Sequence, residues 1–201
     1  MITAQELKLF ASYFKSNSIV IFPTDTVIGI GCRYDSPQAI SKIRQIKGIV
    51  DKNPLAVLIS NESQLDILKV RRSSISNLLM QKFWPGALTL VLTSENVYPC
   101  SGEANSIGIR MPDSDLLRKI IEAVGVPLAT TSANFHGRPA PANMDAIDKP
   151  FRKMVDHIID LEFKPIGQAS TVVKVEGGSL RVIREGAVTK DEICQAVGAI
   201  I

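Results

Sequence analysis

Hydroxyl, amide and charged side chains gather at three places where an apolar run has just ended or is interrupted. Thr24-Asp25-Thr26 follows Ile19-Val20-Ile21-Phe22-Pro23, and Thr130-Thr131-Ser132-Ala133-Asn134 follows Pro127-Leu128-Ala129. Arg110 stands inside Ser106-Ile107-Gly108-Ile109-Arg110-Met111, where a charge must find a partner, reach solvent or serve a ligand. Lys47 and Arg184 add two further cations at the ends of apolar segments. Polar clusters at several strand ends of an open sheet can converge on one crevice. Hydroxyls, amides and cations without a matched Cys-His or Ser-His-Asp set suit an anionic, oxygen-rich ligand rather than covalent catalysis.

Other chemistries find little footing. Gly-rich stretches such as Glu176-Gly177-Gly178 lack the lysine and spacing of a P-loop, and Gly29-Ile30-Gly31 lacks the third glycine of a dinucleotide fingerprint. Cys32, Cys100 and Cys194 are odd in number and scattered, and His136 and His157 do not cluster with them. Neither a zinc site nor a disulfide framework is expected, and a reducing cytoplasm is. A net charge of +3 and 5% aromatic residues give no basic, aromatic-interleaved surface for nucleic acid. No apolar run reaches about 18 residues, and Met1 to Lys15 carries no cleavage-site pattern.

The elements that must position these groups are legible in outline. At 201 residues, 45% hydrophobic and 21% charged, the chain suits one domain with a real core. Thr3-Ala4-Gln5-Glu6 reads as a capping box opening a helix to about Lys15. Four apolar residues, Ile19 to Phe22, form a buried strand that stops at Pro23, which cannot donate to a ladder. Ser36-Pro37 caps a helix striped by Ile40, Ile43 and Ile46, and Lys47-Gly48 ends it. Lys47 there is either a solvated dipole-compensating charge or a ligand contact. Leu55 to Ile59 is a strand, Ser63 to Leu68 and Ser73 to Phe83 short helices, and Trp84-Pro85-Gly86 a turn delivering the strand Ala87 to Leu92. Glu95 to Asn105, with Pro99 and Gly102, reads as the mobile loop. A helix spans Asp115 to Val124; strands span Pro127 to Thr130, His157 to Leu161, Thr171 to Val175 and Leu180 to Arg184. Gly137 to Asn143 is a loop, and Thr189-Lys190-Asp191-Glu192 caps a last helix. The expected architecture is α/β, a twisted sheet mixing parallel and antiparallel strands, with flanking helices.

Four stretches in order, Thr24-Asp25-Thr26, Ile46-Lys47-Gly48, Trp84-Pro85-Gly86-Ala87-Leu88-Thr89-Leu90 and Thr130-Thr131-Ser132-Ala133-Asn134, resemble the YrdC family of threonylcarbamoyl-AMP synthases. The likeness runs from about Ile19 to Gly186. It implies a single catalytic domain over 1–201, without the extra C-terminal domain of longer relatives, and a large concave face. It further implies an L-threonylcarbamoyladenylate synthase, a nucleotidyltransferase joining L-threonine, bicarbonate and ATP, with Mg²⁺ accompanying ATP. The product would serve transfer machinery that places threonylcarbamoyl-adenosine on tRNA. Position by position, the resemblance puts Thr26, Arg110, Thr130 and Ser170 around threonine. It puts Lys47, Asn53, Ser106, Ser132, Asn134 and Arg184 around ATP, with Lys47 and Arg110 as the catalytic pair and no protein-held metal.

The sequence also departs from that family. Its loop usually reads Lys-x-Arg, whereas here it is Lys47-Gly48-Ile49, and Arg44 or Lys52 are the nearby cations able to substitute. Leu58 stands where some members have histidine, and Ala140 where some have a hydroxyl. A second reading is therefore a weakly active or non-catalytic relative that binds nucleotides or double-stranded RNA on the concave face.

Overall fold

Pro23 ends the first strand as its missing N–H requires, and the chain turns back at once. The computed structural model describes residues 2–15, 17–49, 53–102, 104–161 and 164–198. Strand β1 (Val20–Pro23) pairs antiparallel with β2 (Ile28–Arg33), Pro23 opposite Ile28. Thr24 closes the turn between them: its Oγ1 donates to the Val27 carbonyl at 2.7 Å and accepts the Thr26 and Val27 N–H groups, both at 3.2 Å. That hairpin adds a strand, β2, that the sequence reading does not draw.

The other elements follow in order: α1 (Ala4–Tyr13) before β1, then α2 (Pro37–Lys47), β3 (Ala56–Leu58), α3 (Gln64–Ile67), α4 (Ser74–Phe83) and β4 (Leu88–Thr93). After them come β5 (Ser106–Arg110), α5 (Asp115–Val124), β6 (Leu128–Ser132), α6 (Lys149–Arg152), β7 (His157–Ile158), β8 (Thr171–Glu176), β9 (Ser179–Arg184) and α7 (Lys190–Val197). The caps are those the sequence announces. Thr3 with Glu6 and Thr189 with Glu192 form capping boxes, Ser36 caps α2, and Gly48 and Gly125 take left-handed conformations past α2 and α5. The strand expected over His157 to Leu161 is paired only at His157–Ile158.

Among the described residues the strands make one mixed sheet, ordered β7-β1-β2-β6-β3-β5-β4-β8-β9, with parallel pairs β1–β7, β3–β5 and β4–β8. Strand alternation sends side chains to two layers. Ile21, Ile28, Ile30, Val57, Ile109 and Val173 join α2, α4 and α7 in the larger core. Val20, Phe22, Leu58 and Leu128 face Phe14 and the α5 residues Leu117, Ile120 and Ile121. That second layer covers only one end of its sheet face. Across β6, β3, β5, β4 and β8 the same face is open and concave.

The segment 95–105, expected to be a mobile loop, contains a 3₁₀ turn, Pro99–Ser101, whose Cys100 and Ser101 are buried. Leu55 donates its N–H to the Cys100 carbonyl at 2.9 Å, and Arg44 donates to the Pro99 carbonyl at 3.1 Å, so this turn is tied to β3 and α2.

Candidate active site

The register of the sheet lines up the polar residues in rows across the open face. One row contains Ser132 opposite Gly29 and Ser106 opposite Thr93. The next contains Ala56 opposite Thr130 and Gly108 opposite Val91. The third contains Leu58 opposite Arg110, and Thr89, Val172 and Arg184 in mutual register. The middle row is built of small side chains. A Cβ on Gly108 would lie 3.4 Å from Thr89 Cγ2, and in the first row one on Gly29 would lie 3.0 Å from Thr130 Oγ1. Small residues in the middle with larger ones around them make a trough, and it encloses about 430 Å³, within the range of small-molecule sites.

Arg110 is the buried charge of the trough, 5% exposed. Its Nη2 donates to Asp25 Oδ1 in a salt bridge, Nη1 to Thr26 Oγ1 at 2.7 Å, and Nε to the Gly86 carbonyl at 2.9 Å. Those bonds use three of its five N–H groups. Burial lowers the guanidinium pKa, with Asp25 acting in the opposite sense. The Trp84-Pro85-Gly86 turn has its place here. Trp84 Nε1 donates to the Leu88 carbonyl at 2.7 Å, Gly86 N–H to the Met111 carbonyl at 2.9 Å, and the Gly86 carbonyl faces Arg110.

Ser170 and Arg184 complete that end. Ser170 Oγ lies 2.8 Å from Thr89 Oγ1, and Arg184 Nη2 donates to the Ser170 carbonyl at 2.7 Å. Partial burial, and then the charge of Arg110, lower the Arg184 pKa. Two guanidiniums that repel each other beside one carboxylate leave this end with a net positive charge, favourable to an anion. The resemblance set Arg184 among the nucleotide residues; in the structure it shares the third row with Arg110, across Thr89 and Val172, and bonds to the Ser170 carbonyl.

At the opposite end, Lys47 is buried at 4% exposure and not a solvated helix-end charge. Its Nζ donates to the Ser132 carbonyl at 2.6 Å, to the Asn134 carbonyl at 2.7 Å and to Asn134 Oδ1 at 3.2 Å. With no carboxylate partner among the described residues, burial pulls its pKa down to about 8. The Lys47 carbonyl also accepts the His136 N–H at 2.8 Å, so the end of α2 braces the whole 132–138 segment.

Of the ten residues named from sequence, Thr26, Ser106, Arg110, Thr130, Ser132, Asn134, Ser170 and Arg184 line the cavity. Lys47 and Asn53 are not among the lining residues: Lys47 binds the wall, and Asn53 is exposed beside the lining residue Pro54. Arg44 is held by the carbonyls of Asn53 and Pro99, at 3.2 and 3.1 Å, and does not line the cavity either. Lys52, the other candidate substitute cation, lies outside the described residues. Two contributors were missed as site residues. Asp25 reads from sequence only as a carboxylate at a strand end, and Arg138, in a Pro- and Gly-bearing loop, carries no local pattern to mark it. Cys32 and Cys100 are buried thiols with pKa values pushed up to about 12 by desolvation, which makes them inert.

Among the described residues the lining includes three arginines, Arg110, Arg138 and Arg184, and no carboxylate. Among the described residues no group of His, Cys, Asp or Glu could hold a metal ion, and Asp25 is occupied by Arg110. No helix among them is long and apolar enough to cross a membrane.

An open mixed sheet whose uncovered concave face carries such a trough defines an α/β protein with a positively charged crevice of small-molecule size. The chain belongs to the Sua5/YciO/YrdC family, whose model, described as "Telomere recombination", matches residues 12–186. A Bacillus subtilis protein named threonylcarbamoyl-AMP synthase is 35% identical over 199 residues, covering 94% of this chain and 56% of its own length. A Pyrococcus abyssi protein of the same name is 32% identical, covering 97% of this chain and 58% of its own. The chain therefore spans somewhat more than half the length of these relatives. The structure of P. abyssi Sua5 complexed with L-threonine superposes with a TM-score of 0.92 at 31% identity, over 100% of this chain and 59% of that one. Escherichia coli YciO, at 21% identity, shares the fold with a TM-score of 0.84.

Proposed function

We propose that this chain is a threonylcarbamoyl-AMP synthase, and the observation that carries the proposal is Arg110. A guanidinium buried in the sheet, aligned by Asp25, Thr26 and Gly86, with N–H groups to spare beside the trough, suits the carboxylate of an amino acid. The P. abyssi relative in complex with L-threonine supports threonine as that amino acid.

In this reading the threonine amine adds to bicarbonate with loss of water, giving an N-carboxylate. One of its oxygens attacks the α-phosphorus of ATP; the bond from that phosphorus to the bridging oxygen of the β-phosphate breaks, and pyrophosphate leaves with its electrons. The chain's contribution is positioning and charge neutralisation. Arg110, Thr26, Thr130 and Ser170 orient threonine. Arg184, held by the Ser170 carbonyl at the Arg110 end of the trough, stabilises negative charge at the α-phosphate. Ser106, Ser132 and Asn134 line the nucleotide side, Asn53 stands at its rim, and Lys47 holds its wall. The described residues of the lining offer no carboxylate cage for Mg²⁺, so Mg²⁺ enters this reading on the phosphates and water of ATP, where it screens their charge. The adenylate would pass to a transferase acting on tRNA in the cytoplasm.

The test is pyrophosphate release by the purified chain with ATP, omitting threonine and bicarbonate in turn. Release that needs both is expected. Release independent of threonine, or none with all three present, would sink the proposal.

A further inference from the structure

We infer that Arg138 is the residue that grips the terminal phosphates of the nucleotide, exchanging its partner Asp148 for them. The inference rests on the synthase reading for the identity of the ligand, and on the following geometry for the residue.

The trough has cations at both ends. Arg110 and Arg184 occupy one, and Arg138 stands at the other with Ser132 and Asn134. An in-line displacement at the α-phosphate needs the leaving group on the side opposite the nucleophile. With threonine on Arg110, the β- and γ-phosphates extend away from that end, toward Ser132, Asn134 and Arg138. Lys47 does not line the cavity and its Nζ is bound to two carbonyls, so among the described residues Arg138 is the lining cation on that side.

Its setting is suited to an exchange. The Arg138 side chain is 61% exposed, and Nη1 reaches Asp148 Oδ2 at 3.0 Å. An exposed pair of this kind adds little stability, so a polyanion displaces the aspartate at small cost. The backbone that carries it is fixed, however. Asn134 Nδ2 donates to the Arg138 carbonyl, His136 is bound to Lys47, and the guanidinium lies 5.5 Å over the Phe135 ring. Phe135 in turn packs edge-on against the fully buried Phe151 at 5.1 Å. A rigid base with a weakly tethered guanidinium beside a cavity is what a phosphate clamp requires.

Calorimetric titration of the wild type, Arg138→Ala and Asp148→Asn with ATP and with AMP tests this directly. Arg138→Ala is expected to weaken ATP at least tenfold and AMP less than twofold, with threonine affinity and melting temperature unchanged. Asp148→Asn is expected to tighten ATP two- to fivefold by removing the competing anion. Equal losses for ATP and AMP, or no loss for ATP in a folded Arg138→Ala variant, would overturn the inference. Because the readout is binding, the synthase reading is judged separately: an ATP-over-AMP split without threonine-dependent turnover upholds Arg138 and removes the synthase, and turnover without the split does the reverse.

Discussion

Arg110 on β5 and Asp25 in the β1–β2 turn, 85 residues apart in sequence, form a salt bridge buried in the wall of the trough. The carboxylate offsets the cost of carrying a guanidinium inside the sheet, and it aims the remaining N–H groups. Removing one member of a buried pair leaves the other uncompensated, at roughly 3–5 kcal/mol. Asp25→Ala is therefore expected to lower unfolding free energy by that order in urea melts, and saturating threonine to recover part of it. A surface-like change of under half a kcal/mol would show that the pair is solvated.

Arg110→Ala is expected to abolish threonine binding while leaving ATP affinity within about twofold. Arg110→Lys should not restore it, because a lysine cannot keep Asp25, Thr26 and Gly86 and also present a planar fork to a carboxylate. Threonine titration of the two variants decides this, and near-native affinity in Arg110→Lys would remove the bidentate assignment.

Lys47 gives the protein a pH dependence with a definite sign. Its pKa is about 8 in the folded chain against 10.5 ordinarily. Between those values the unfolded chain binds more protons, so stability rises with pH across that window. The gain attributable to Lys47 is roughly 3 kcal/mol at 1.36 kcal/mol per unit. Comparing unfolding free energies of wild type and Lys47→Met from pH 7 to 10.5 isolates it, since other alkaline titrations cancel. Parallel curves would mean that the ammonium is solvated.

Gly108→Val should empty the site without unfolding the chain. The added methyl groups stand over the small middle row, toward Thr89 and Val91, so both threonine and ATP affinity should fall at least tenfold while the melting temperature shifts by only a few degrees. Retained binding of both ligands would place them elsewhere.

Gly186 holds the Ser170–Arg184 end together by close backbone approach: a Cβ there would lie 2.1 Å from the Ala169 carbonyl oxygen. Gly186→Ala is expected to cost about 1–3 kcal/mol as overpacking and to lower turnover further through Arg184. A silent Gly186→Ala in melting and activity would contradict the tight contact.

The sequence by itself determined the elements and most of the site. Capping residues, the isoleucine stripe of α2, Pro23 and the glycines past α2 and α5 act within a few residues of themselves, so their consequences can be read locally. So can the placing of Thr26, Thr130 and Ser132 at strand ends, which is why most of the named polar residues reach one cavity. What only the tertiary structure decided depends on register between distant strands. That Asp25 answers Arg110, that Gly86 offers Arg110 its carbonyl, and that Arg184 shares a row with Arg110 across Thr89 and Val172 follow from which strands neighbour which, in the order β2-β6-β3-β5-β4-β8-β9. Lys47 looks from sequence like a helix-end charge or a ligand contact, and becomes a buried brace because the 132–134 carbonyls are carried to it by β6. Arg138 has no periodic pattern around it, and its place at the cavity comes from the Phe135–Phe151 contact and the bonds to Asn134 and Lys47, all of them long-range or made by the loop's own turn. Local chemistry wrote the inventory of the site; the pairing of strands, a property of the whole sheet, decided which of those groups meet.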